Sequence, residues 1–266
     1  MGRILSNKNQ SMKILCFTIL TLTATLTNAA QLMLEPLYQA AGVEGTLMIQ
    51  SLDGKQEYAH NAHDVTTGYI PASTFKIPNT LIALEENIIR NADDPIPWDG
   101  VQRGYAPWNQ DQTLASAFKV SCVWCYQRFA RKIGPSTYPV YLQAFQYGNQ
   151  KTGSDVTTFW LEGDLRISVR QQIAFLRKVY NQSLEMIQPR NYQVLKEIML
   201  MEDNDSYRLW AKTGWQGKDG WYVGYLQDDA GVWLFAHHLH IASEADLPLR
   251  RELVMKAFRQ LNIIAP

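Results

Sequence analysis

Cysteine is scarce in this chain, with three among 266 residues, so a small scaffold held together by disulfides is excluded. Charge of one sign is also lacking. Lys and Arg total 25 and Asp and Glu total 25, leaving no basic excess to neutralise a phosphate backbone, which argues against nucleic-acid binding. Long hydrophobic runs are missing too: the one uncharged apolar stretch, Ile14 to Leu26, is shorter than the roughly 20 residues that span a bilayer. Neither an internal repeat nor a low-complexity linker is visible, which excludes solenoids and collagen. What is present is ordinary for a soluble globular protein of one domain or two joined subdomains, 46% hydrophobic and 19% charged. The eight Trp and thirteen Tyr belong to a core and an aromatic-lined pocket.

The first thirty residues differ from the rest. Arg3, Lys8 and Lys13 precede the apolar run, which ends in Thr-Asn-Ala-Ala, the pattern of a secretory signal peptide cleaved near Ala29 or Ala30. Met12 opens the part most like a leader and competes with Met1 as the start. Removing residues 1–29 takes away three basic residues and no acidic one, so the expected product is an exported, periplasmic protein of net charge −3. It retains Cys122 and Cys125, spaced C-x-x-C between helical flanks. Buried thiols are the first expectation, with a local disulfide second and a redox or metal role third.

Residues 33–41 are expected to form a helix closed by Gly42, and Gly45 to Ser51 a strand entering a turn at Asp53-Gly54. From Ser73 to about Leu200 the period is helical, in several pieces. It then switches: Tyr207–Trp215, Trp221–Gln227 and Val232–Ile241 are three strand-like runs joined by turn signals. Leu249, Leu253, Ala257 and Leu261, four apart, mark a closing helix. Both ends of the chain are thus expected to build one antiparallel five-stranded sheet, an α/β fold of the α+β type, flanked by helices and carrying an inserted helical subdomain. In domain terms residues 1–29 are the leader and 30–266 a single catalytic domain, with sheet parts near 30–70 and 205–266 and the insertion near 71–204. The seam between them is the natural ligand site.

Ser73 and Lys76, three apart at a helix start, stand on one face, which places a nucleophile beside a base where free backbone N–H groups favour a developing oxyanion. The spacing alone is weak, because about one S-x-x-K is expected by chance in such a chain. A second copy, Ser116–Lys119, has apolar helical neighbours and no helix-start signal, and is read as ordinary helix surface. Lys-Thr-Gly also occurs twice. Lys151-Thr152-Gly153 lies in a polar loop, whereas Lys212-Thr213-Gly214 ends a strand and can face a cleft.

The ordered set Ser73-x-x-Lys76, Ser121-x-Val123, Tyr147-Gly148-Asn149 and Lys212-Thr213-Gly214 resembles the penicillin-recognising serine enzymes. The flanks Pro71-Ala-Ser-Thr-Phe-Lys-Ile-Pro, Trp160-Leu-Glu-Gly and Leu247-Pro-Leu-Arg250 resemble the class D, oxacillinase-type serine β-lactamases across essentially the whole mature chain. The resemblance implies the β-lactamase/transpeptidase-like fold and hydrolysis of penicillin-type amides, giving resistance. A sensor that acylates without turnover is the alternative, and a D-Ala-D-Ala peptidase is a third reading disfavoured by the Trp160 motif and the compact size.

It further implies that Ser73 is the nucleophile and that Lys76 is a base carrying a CO2-derived N-carboxylate, with no other cofactor and no metal. Ser121 is implied as a proton relay and Trp160 as donor to the carbamate. Phe75, Val123 and Leu161 would form the carbamate's apolar wall, and Lys212, Thr213 and Arg250 would hold the substrate carboxylate. The backbone N–H groups of Ser73 and Trp215 would make the oxyanion hole. Small β-lactams are the expected partners, with no nucleic acid and no membrane span, and oligomeric state is open.

The physical chemistry runs parallel. A lysine of pKa ~10.4 is no base at neutral pH until apolar burial depresses it, and CO2 too requires the neutral amine. Glu162 is the rival base. Tyr105 and Trp108 are candidates to roof the pocket. In Ala236-His-His-Leu-His240, strand alternation separates His237 from His238 and His240, so at most two could share a metal, fewer than the three protein ligands of a zinc hydrolase. Relatives generally carry an amide at the position of His238.

Overall fold

The computed structural model describes residues 33–265, so the leader lies outside the described residues. Helix α1 (residues 33–41) stops at Gly42, and strands β1 (Gly45–Ser51) and β2 (Glu57–His60) follow as a hairpin. The helical block contains α2 (Lys76–Glu85), α3 (Leu114–Lys119), α4 (Val123–Ile133), α5 (Thr137–Phe145), α6 (Val169–Tyr180) and α7 (Pro189–Met199). A two-strand ribbon of β3 (Pro95–Ile96) and β4 (Gln112–Thr113) lies within it. The chain returns through β5 (Leu200–Asp203), β6 (Arg208–Gln216), β7 (Asp219–Gln227) and β8 (Val232–His240), and closes with α8 (Leu249–Gln260). No helix among the described residues is long and apolar enough to cross a membrane.

The sheet is antiparallel in the order β2-β1-β8-β7-β6-β5. Joining Thr46 of β1 to His238 of β8 brings the two chain ends together, as expected from strands on both sides of a helical block. The sheet has six strands where the sequence indicated five. The extra one, β5, is a short edge strand entered through a bulge against β6 and exposed at Leu200 and Met201. It has no buried alternating face, so nothing in its pattern separates it from the end of α7.

Side-chain alternation divides the core in two. Trp221, Val223 and Tyr225 of β7, with Met48, Trp210, Leu234 and Ala236, face the helical block. Tyr222 and Leu226, with Leu47, Ile49, Phe235 and Leu239, face α1 and α8. Full burial contributes roughly 1.5–3 kcal/mol for each large apolar side chain, and a slip of one residue would exchange the two faces, so burial on both sides fixes the register.

Candidate active site

The chain enters the site through Ala72, which is buried with φ 50° and donates its N–H to the Trp160 carbonyl at 3.0 Å. Residues Ala72–Phe75 form a single 3-10 turn, and α2 begins at Lys76. The α-helix expected from Ser73 therefore starts three residues later, and the serine sits in the tighter turn that feeds it. Lys76 Nζ donates to Ser73 Oγ at 3.0 Å. Lys76 is only 1% exposed, its Nζ lies 4.9 Å from the centre of the Tyr126 ring, and among the described residues it forms no ion pair. Burial without a counter-charge penalises the ammonium and pushes its pKa down to about 7.

β6 forms the opposite side. At Gly214 the strand passes so close to the Ala72–Phe75 turn that a Cβ would meet the Pro71 carbonyl at 3.0 Å and Thr74 Cγ2 at 3.1 Å, a close approach that favours glycine there. Lys212, two residues earlier, is buried, donates to Ser121 Oγ at 2.5 Å and lies over the Phe118 ring. Burial and the charges of Lys76 and Arg250 hold its pKa well below the ordinary lysine range. Arg250, in the first turn of α8, donates to the Gly214 carbonyl at 2.7 Å and to the Leu247 carbonyl at 2.7 Å, and burial lowers it to about 10. Two lysines and an arginine thus converge without a carboxylate partner among the described residues, an arrangement that favours a bound anion.

Between these walls lies a cleft of about 680 Å³. Ser73, Ser121, Thr213, Trp215 and Arg250 line it, with Val123 and Leu161 as apolar wall. Phe75, Lys76, Trp160 and Lys212 stand behind, buried. The Trp160 indole stacks on Phe75 with centroids 5.6 Å apart, and its Nε1 is buried with no hydrogen-bond partner. Tyr105 and Trp108 pack edge to face at the rim. Tyr126 and Phe118 were not legible as site residues, because each faces its lysine from a different helix and no spacing links them.

Ser121 owes its position to how α3 ends. Val120 caps the helix, Ser121 takes the left-handed conformation at φ 54°, its N–H bonds the Phe118 carbonyl at 3.2 Å, and the Cys122 N–H bonds Ala117 at 2.8 Å. This pair of bonds is a Schellman motif, whose left-handed position is usually glycine. Serine there costs about 1 kcal/mol and presents a hydroxyl to the cleft.

Tyr147-Gly148-Asn149 stands behind the wall and does not line the cleft. Gly148, at φ 56°, passes where a Cβ would lie 2.1 Å from the Arg166 carbonyl, and Asn149 holds the far end of the Trp160 loop through bonds to the Asp164 carbonyl and the Arg166 N–H. Tyr147 packs edge-on against Phe75.

Two expectations are corrected. Cys122 and Cys125 are joined as a disulfide and are not free thiols, since Cys122 is the N-cap of α4 and the helix's first turn brings Cys125 beside it. Ser116 does have a helix-start signal: its hydroxyl and N–H complete a capping box with Thr113, and the hydroxyl also donates to Gln112 at 2.7 Å. Its lysine, Lys119, is exposed at the rim. Arg250 makes two backbone bonds at the helix start, to the Leu247 and Gly214 carbonyls.

Glu162 is exposed and absent from the cleft wall, and Lys151-Thr152-Gly153 lies in a surface loop. His237 Nδ1 contacts the Arg250 carbonyl at 2.8 Å. His238 Nε2 contacts Asp219 at 2.9 Å, and its ring stacks on Tyr69. Among the described residues no three His, Cys, Asp or Glu side chains form a metal-holding group.

Residues 44–259 match the penicillin binding protein transpeptidase domain. The chain is 38% identical over 225 residues to β-lactamase OXA-48 of Klebsiella pneumoniae, covering 83% of this chain and 84% of that protein. It is 40% identical over 199 residues to β-lactamase OXA-2 of Salmonella typhimurium, covering 74% and 72%. Among solved structures, the class D β-lactamase YbXI from Nostoc superposes with a TM-score of 0.84 at 36% identity, over 86% of this chain and 98% of that one. FUS-1 (OXA-85) from Fusobacterium nucleatum subsp. polymorphum gives 0.83 at 32% identity, over 86% and 97%. With its fold, its ordered motifs and its relatives in agreement, the chain belongs to the class D serine β-lactamases.

Proposed function

We propose that this protein hydrolyses the β-lactam amide of penicillin-type antibiotics through an acyl-enzyme on Ser73, thereby conferring resistance. The observation that carries the reading is the Ser73–Lys76 pair, a hydroxyl bonded at 3.0 Å to a lysine that is buried, unpaired among the described residues and depressed to about 7. A neutral Nζ can accept the Ser73 proton as Oγ attacks the lactam carbonyl carbon. The backbone N–H groups of Ser73 and Trp215 then hold the oxyanion, and Ser121 Oγ passes a proton to the lactam nitrogen as the C–N bond breaks. Thr213, Lys212 and Arg250 bind the substrate carboxylate, with positive charge that no carboxylate among the described residues neutralises.

We also infer that Lys76 is N-carboxylated, because the neutral amine that CO2 requires is favoured at this position. Trp160 supports the fit: its buried, unpartnered Nε1–H is a donor awaiting an anionic acceptor. When present, the carbamate supplies a basic oxygen for acylation and for activation of the deacylating water. Phe75, Val123 and Leu161 exclude bulk water from it. Export through a cleaved leader into the periplasm, where small β-lactams are met, belongs to the same reading.

The test is hydrolysis of a chromogenic cephalosporin after acidification and CO2 depletion. Activity is expected to fall, an acyl-enzyme to accumulate, and bicarbonate to restore turnover, with weaker recovery in Trp160→Ala. Rates indifferent to CO2, combined with an inactive Glu162→Gln variant, would transfer the base to Glu162.

A further inference from the structure

One covalent bond beside the cleft has no part in the chemistry above. The Cys122–Cys125 disulfide, with Cα atoms 5.5 Å apart and both residues fully buried, sits at the start of α4, just after the turn that ends α3. Cys122 closes the Schellman motif around Ser121 and is at the same time the N-cap of α4, its Sγ accepting from the Cys125 N–H at 3.3 Å. Ser121, whose hydroxyl accepts from Lys212, precedes it directly. Val123, which lines the cleft, follows it directly.

We propose that this disulfide is a positioning device for the active site: it keeps Ser121 Oγ within reach of Lys212 and Val123 in the apolar wall, making Cys122 and Cys125 positioning residues for the reaction. The proposal rests on the reading of Ser121 as the proton relay. Two observations carry it. Ser121 occupies a left-handed conformation that a serine leaves unless its surroundings hold it, and the residue directly after it is tied by the bond to the first turn of α4. Second, the bond closes a ring over Val123 and Trp124 in the first turn of α4, and a bridge between residues three apart is the least effective placement for constraining an unfolded chain, since that effect grows with loop length. Local geometry is what this bridge is placed to serve.

A double-mutant cycle tests this. Cys122→Ala/Cys125→Ala is expected to lower kcat about tenfold with KM changed by less than about twofold, while the same pair of replacements made in Ser121→Ala has no further effect on kcat. Equal losses in both backgrounds, or an undiminished kcat when only the cysteines are replaced, would overturn the proposal. Should the double variant not fold, the wild-type protein is reduced with a water-soluble trialkylphosphine. Phosphorus attacks one sulfur, the S–S bond breaks, and water supplies two protons to the thiolates and oxygen to the phosphine oxide. With both thiols confirmed by mass, the same loss of kcat is expected, and full activity overturns the proposal. An impaired Ser121→Ala beside an unimpaired cysteine variant rejects the disulfide's role alone. An unimpaired Ser121→Ala rejects the relay reading and the positioning of Ser121 together.

Discussion

Ser73–Lys76 and Ser116–Lys119 have identical spacing, and each serine sits in the first turns of a helix, yet only one pair has the makings of a catalyst. Around Ser73 the lysine is sealed from water, has no counter-ion among the described residues and donates to the serine hydroxyl. Around Ser116 the lysine is exposed and the hydroxyl is occupied by the helix cap and by Gln112. Spacing brings two groups onto one face, but solvent exclusion decides whether the amine can lose its proton and whether the hydroxyl is free to react. The two Lys-Thr-Gly copies differ in the same way: Lys212 is buried behind the cleft on β6, and Lys151 is solvated in a loop.

The contrast is broken most directly by exchanging the serines. Ser73→Ala is expected to reduce kcat by at least about 10³-fold with the fold intact, since a nucleophile has no substitute. Ser116→Ala should stay within a few-fold in activity and instead lose about 1 kcal/mol of stability through the cap. Steady-state rates and denaturant melts on both variants check this, and a large rate loss in Ser116→Ala would mean that the pairs have been assigned the wrong way round.

The next largest effect is in pH. With Lys76 held near 7, kcat/KM should fall about tenfold per unit below that value as the amine is protonated. The folded state binds this proton less readily than the unfolded chain, whose lysine titrates near 10.4, so Lys76 also makes stability rise with pH between about 7 and 10.4. Profiles of rate and of unfolding midpoint measure the two separately, and a flat rate between pH 5 and 8 would contradict a neutral amine.

The smallest effect sharpens the second pair of motifs. Arg250→Ala should raise KM about tenfold while changing kcat less, because a carboxylate is held in ground and transition states alike, and Lys151→Ala should leave both constants unchanged. An unaltered KM in Arg250→Ala would take that side chain out of substrate binding.

How much was legible follows from these particulars. The β6–β7–β8 hairpins and α8 were readable because period-2 and period-4 apolar patterns are written locally. Edge strand β5 was not, because an exposed four-residue strand buries no alternating face. Ser116 was not legible as a helix start, since its capping box with Thr113 carries no Asp, Glu or Gln at the third position; its engaged hydroxyl and solvated lysine are what separate it from Ser73. The disulfide could not be chosen from C-x-x-C alone, since the bond depends on Cys122 capping α4 after the three-residue turn Val120–Cys122 that leaves α3. That turn uses serine where a glycine would have signalled it.

By itself, the sequence determined the elements, their faces and the ordered set of chemical groups, because propensity and periodicity act over a few residues. Only the tertiary structure decided which lysines lose water, which hydroxyls stay free, and that Lys76, Lys212 and Arg250 meet with no carboxylate partner among the described residues. Desolvation and charge proximity are properties of segments up to about 180 residues apart in the chain, and they come into being only when the sheet closes against the helical block.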